Sequence, residues 1–110
     1  MIGAIIGDIV GSRFEFEGYK GKDFEFFHPE CSFTDDSILT IALGEAVMKA
    51  DGKPGKRLET FAVDMMWDYT DRYPFPMGGY GSSFCDWLER EVPRPYNSYG
   101  NGAPMRCSPA

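Results

Sequence analysis

Ile2, Ile5, Ile6, Ile9 and Val10 recur at helical spacing, which predicts a helix through the opening MIGAIIGDIVGSRFEF. Gly3, Gly7 and Gly11 fall four apart and leave one face of that helix without side chains. Each costs roughly 1 kcal/mol relative to alanine in a helix interior, so the pattern predicts a close approach to that face by another helix or a ligand. A strand entering a phosphate-binding loop is the competing reading, but neither GxGxxG nor GxxxxGK[ST] occurs.

Residues 16–33 then read as a loop of glycine, lysine and aromatics. Ile38, Leu39, Ala42, Leu43, Ala46 and Val47 form the apolar stripe of a second helix over about 34–50. Asp51-Gly52 and Pro54-Gly55 mark a turn. Leu58, Phe61, Ala62, Met65 and Tyr69 share one face of a third helix that stops before Pro74. After the PFPMGGYG loop, SSFCDWLEREV predicts a fourth helix over 82–92 with Phe84, Trp87 and Leu88 inward. Residues 93–110, crowded with proline, glycine and small polar side chains, read as loop. The pattern is all-α, one unit over 1–110, with connections long enough to build a site.

Composition narrows the classes. Hydrophobic residues at 43% and aromatics at 15% rule out a disordered acidic tail despite the net charge of -6. Scattered lysines and arginines argue against a nucleic-acid backbone as partner. No apolar run approaches the roughly 18 residues of a membrane span, and the opening segment has no basic flank of a signal peptide. Cys31, Cys85 and Cys107 form no CxxC pair, and His28 is the sole histidine. Reduced thiols in the cytoplasm are the expectation.

Thr34-Asp35-Asp36-Ser37 places four oxygen-bearing side chains at the start of an apolar helix. Hard divalent cations take such ligands. The same residue types serve as N-cap and first turn, satisfying free amides and the helix dipole, and that alternative stays open. Adjacent helical residues diverge by about 100°, so the two carboxylates need an irregular first turn, or a pair of ions, to share a site. Glu15 and Glu17 alternate with Phe14 and Phe16, as in an extended stretch with both carboxylates on one side. Against an aromatic wall such a group serves acid–base work; in solvent it is an ordinary loop glutamate. Ser98, Tyr99, Gly100, Asn101 and Gly102 form a backbone-rich loop suited to a diphosphate, with Tyr99 able to stack on a ring. Gly79 and Gly81 offer amides before the fourth helix. Turn formation explains both glycine-rich segments equally.

In this order, GAIIGDIVGSRFEF, FTDDS, GGYGSSF and YNSYGNGAPMRCSPA resemble the ADP-ribosylglycohydrolase family, the DraG-like hydrolases. The resemblance spans nearly the whole chain and implies an all-α orthogonal helical bundle with two Mg2+ ions, or Mn2+, in a cleft. It implies hydrolysis of the glycosidic bond between ADP-ribose and a protein side chain or small acceptor. By the same resemblance Thr34, Asp35 and Asp36 are metal ligands, and Glu15 acts with Asp35 and Asp36 in catalysis. Ser98, Tyr99, Gly100, Asn101 and Gly102, with Gly79 and Gly81, bind substrate. Ser37 replaces the family's usual threonine, and Pro104 a smaller residue. The family's second metal motif, Asp-x-Asp-[Ser/Thr], does not occur, so the expectation is an N-terminal part, inactive alone, of a longer enzyme. A non-catalytic ADP-ribose-binding module and a crystallin-like structural relative are the alternatives.

Overall fold

The computed structural model describes residues 1–109. Five helices follow one another: α1 (Ile2–Gly11), α2 (Asp35–Lys49), α3 (Lys56–Arg72), α4 (Ser82–Leu88) and α5 (Gly102–Arg106). A single 3-10 turn, Ser12–Phe14, extends α1. The fold is all-α among the described residues; the one strand-like feature is an isolated parallel bridge between Thr34 and Met77.

Helix α2 is the centre, packed by α1, α3 and α5. Its apolar stripe forms the floor of the core, with Ile38, Leu39, Ala42 and Ala46 all buried. Small residues let neighbours approach on more than one side, so Ser37, Thr40 and Gly44 are buried too. Helix α3 lies along α2 through a half-buried stripe that includes Phe61, Met65 and Tyr69. The Tyr69 hydroxyl donates to Glu45 Oε2 at 2.9 Å and pins the pair. Leu39, Phe84 and Trp87 form the densest cluster, covered by Val63, Met66 and Tyr80. The Phe84 and Trp87 rings stack at 5.6 Å, an arrangement that adds to simple area burial.

Three expectations need correction. Helix α4 ends at Leu88 rather than 92: the Arg90 amide closes a tight turn on the Trp87 carbonyl, and Pro93 keeps the preceding residue out of helical conformation. The segment read wholly as loop contains α5. Pro104 sits within its first turn, where the missing N–H has no helical partner to lose. Glu15 is helical (φ −52°, ψ −38°), and the Glu17 amide bonds the Phe14 carbonyl, so 15–17 is a turn and not an extended stretch.

The glycine face of α1 also differs from expectation. A Cβ at Gly3, Gly7 or Gly11 would meet nothing within 4 Å. No helix packs tightly there; Gly7 and Gly11 instead floor an open cleft. Much of the α1 apolar stripe is uncovered, with Ile2 73% exposed.

Candidate active site

Helix α1 carries one ionisable side chain in its apolar stretch, Asp8, and it organises the head of α2. Its Oδ1 accepts from Thr34 Oγ1 at 2.5 Å. Its Oδ2 accepts from the Thr34 amide at 2.9 Å, the Ser37 amide at 3.2 Å and Ser37 Oγ at 2.5 Å. Thr34 and Ser37 are buried, so these donors have no ready access to water. Thr34 itself is extended (φ −112°, ψ −172°), and its Oγ1 accepts from the Asp36 amide at 3.2 Å. Thr34 is therefore a true N-cap.

Capping does not account for the two carboxylates that follow. Asp35 and Asp36 face Arg106, reaching from α5. Arg106 Nη2 donates to Asp35 Oδ2 at 2.7 Å, and Nε donates to Asp36 Oδ1 at 2.9 Å. All three side chains are well shielded, with Asp35 and Arg106 15% exposed and Asp36 21%. Burial raises the Asp35 carboxyl above its ordinary value; Arg106 opposes this, while Asp36, Glu15 and Asp8 reinforce it.

Glu15 stands at the end of the 3-10 turn, against the 77–79 segment. Gly78 has φ +78°, and a Cβ there would lie 2.9 Å from Glu15 Oε2. Only glycine combines that backbone with that contact. The Thr34–Met77 bridge brings the same segment alongside the head of α2.

These elements enclose a cleft of about 420 Å3 over the glycine face of α1. Glu15, Thr34, Asp36 and Asn101 all line it, as does Asp8. Asp35 is next to it but turned toward Arg106. Other expected substrate residues are not gathered there. Tyr99 is fully exposed. Ser98 Oγ accepts from the Gly100 amide at 3.1 Å in a local turn. Gly102 lies beneath the Arg106 guanidinium, where a Cβ would come within 3.0 Å. Gly79 (φ +72°) closes a tight turn through its amide to the Pro76 carbonyl, and Gly81 caps α4. Turn geometry accounts for these last two. Glu17 is exposed and does not line the cleft.

Thr34, Asp35 and Asp36 offer oxygen only, which fits a hard divalent cation in kind. Arg106 engages one oxygen of each carboxylate, leaving Asp35 Oδ1 and Asp36 Oδ2 outside its grip. Thr34 Oγ1, donating to Asp8 and accepting from Asp36, keeps one lone pair. Among the described residues no three Asp, Glu, His or Cys side chains converge on one ion-sized point. Two carboxylates and a hydroxyl are in kind the donors that an ion retaining much of its water, such as magnesium, would take.

A family model described as ADP-ribosylglycohydrolase matches residues 1–110. The chain belongs to the ADP-ribosylglycohydrolase family. Searches of curated proteins and of solved structures found no match. Within this member of the family, sequence reasoning assigned no role to Asp8 or Arg106. Asp8 had a visible signal, as the lone charge in an otherwise apolar helix. Arg106 had a fainter one, as the single basic residue after Arg94.

Proposed function

We propose that this hydrolase is metal-dependent and cleaves the glycosidic bond linking ADP-ribose to a protein side chain or small acceptor. The observation that carries the reading is the cleft that gathers Glu15, Thr34 and Asp36 over a glycine floor at the head of α2. Thr34, Asp35 and Asp36 would hold a magnesium or manganese ion, one of the two that the family implies. Such an ion orients sugar hydroxyls and lowers the pKa of a bound water.

The chain's own residues do the rest. Asp8 fixes Thr34 and Ser37, which sets the backbone of the first turn of α2 from which Asp35 and Asp36 project. Glu15, held over Gly78 at the cleft wall, takes a proton from the attacking water or returns one to the leaving group. Asn101, which also lines the cleft, donates its amide to the ribose or diphosphate. The glycine face of α1 lets the sugar lie close to backbone, which gives the repeated cost of Gly7 and Gly11 a purpose.

The test is release of free ADP-ribose from a mono-ADP-ribosylated protein by the full-length enzyme with Mg2+, read by mass spectrometry. Release is expected from wild type, and its loss in Asp35→Asn and Asp36→Asn. Release by both variants at the wild-type rate overturns the reading.

A further inference from the structure

The first turn of α2 sets Asp35 beside Asp36, with Asp8 and Glu15 near enough to act on Asp35. Such a cluster of acids, shielded from water, calls for a cation. The chain supplies one from 70 positions away. The Arg106 fork spans both carboxylates with one charge-assisted bond to each. It thereby bridges two side chains that the helix itself points apart.

Arg106 also ties α5 to the head of α2. That helix is five residues long, has no buried residue and no side-chain cap. Its arginine folds back over Gly102 and passes 5.9 Å from the Phe84 ring before reaching α2. Asn101, which caps α5, lines the cleft. Whatever loosens Arg106 therefore moves a wall of the site.

We propose that Arg106 and a divalent cation compete for Asp35 and Asp36, so that entry of the ion releases α5 and reshapes the 97–101 loop. This rests on the reading that those carboxylates hold the ion. Two positive groups on the same pair of side chains repel, and the guanidinium already takes an oxygen from each. Coupling of this kind is reciprocal: the ion weakens α5 docking, and α5 docking weakens the ion. Substrate loop and metal then respond to one another through a single side chain.

The test titrates Mn2+ into the full-length protein without nucleotide, following free Mn2+ by electron paramagnetic resonance. Arg106→Gln is expected to bind Mn2+ at least about tenfold more tightly than wild type, because the competing state loses both charge-assisted bonds and glutamine can restore at most a weaker neutral one. Equal or weaker binding by the variant, with wild type binding normally, overturns the competition and leaves the metal reading standing. Failure of wild type and variant alike to bind removes the metal reading, and the competition with it. A second measurement needs no variant: amide hydrogen exchange on wild type is expected to quicken over residues 102–106 when Mn2+ is added. Unchanged or slower exchange there overturns the proposal.

Discussion

Asp8→Ala should be among the most damaging single changes in the chain, although Asp8 belongs to a helix with few buried residues. The carboxylate accepts from two amides and two hydroxyls. Alanine leaves all four donors without it, at residues 4% and 3% exposed. The hydroxyls can turn toward other acceptors, but the Thr34 and Ser37 amides are fixed by the helix start. Each stranded buried donor costs about 1–3 kcal/mol, so the two amides together cost about 2–6 kcal/mol. Removing one negative charge beside Asp35 returns part of this, which places the expected loss at about 3 kcal/mol. That is a large fraction of the roughly 5–15 kcal/mol that stabilises a typical domain. Urea denaturation followed by the fluorescence of Trp67 and Trp87 measures it, with the midpoint falling and the slope unchanged. Asp8→Asn keeps one acceptor oxygen and should lose less. A midpoint for Asp8→Ala that shifts stability by under about 0.5 kcal/mol, the size of an ordinary surface change, refutes the reasoning.

Other outcomes follow from the same geometry. Gly78→Ala puts a methyl group 2.9 Å from Glu15 Oε2 in a left-handed conformation, so it should cost about 1 kcal/mol or more and cut ADP-ribose release; full activity would contradict the role of Glu15. Leu39→Ala, at a site with no exposure, should lower stability by about 2–5 kcal/mol in the same urea assay. Tyr69→Phe removes the bond to Glu45 and should cost about 1 kcal/mol, with a larger loss pointing to repacking between α2 and α3. For Asp35, burial raises the carboxyl above 3.8, so the folded chain binds this proton more tightly than the unfolded one. Its ionisation accordingly costs stability as pH rises from 3.8 through the folded value, and Asp35→Asn should remove that decline from an acid titration of stability. An identical pH profile in the variant would contradict it.

Local rules made much of this readable beforehand. The stripes of α2 and α3 show the 3.6-residue period over long stretches, and Thr34 is a cap by residue type and in fact. Legibility failed where short-range pattern competed with a distant partner or a local stop. In α4, a tight turn from the Arg90 amide to the Trp87 carbonyl ended the helix before the favourable run through Val92 could count. Helix α5 is too short to show a period, and its anchor pairs with residues 70 and 71 positions earlier. Asp8 reaches 26 and 29 positions forward, a separation that no window of one or two helical turns samples. The glycine spacing in α1 correctly marked a face that side chains avoid, but could not distinguish a packed helix from the open cleft that lies there. For Glu15 the conformation differs from the one that alternation suggests: its contact with Gly78 depends on a turn, not on an extended stretch.

The most direct test is anomalous diffraction from crystals of the full-length protein grown with Mn2+. The account predicts an anomalous peak at the start of α2, within about 2.0–2.6 Å of oxygens from Asp35 and Asp36, with the Arg106 guanidinium withdrawn from both. Manganese bound only elsewhere, with Arg106 still bridging the two carboxylates, would contradict it.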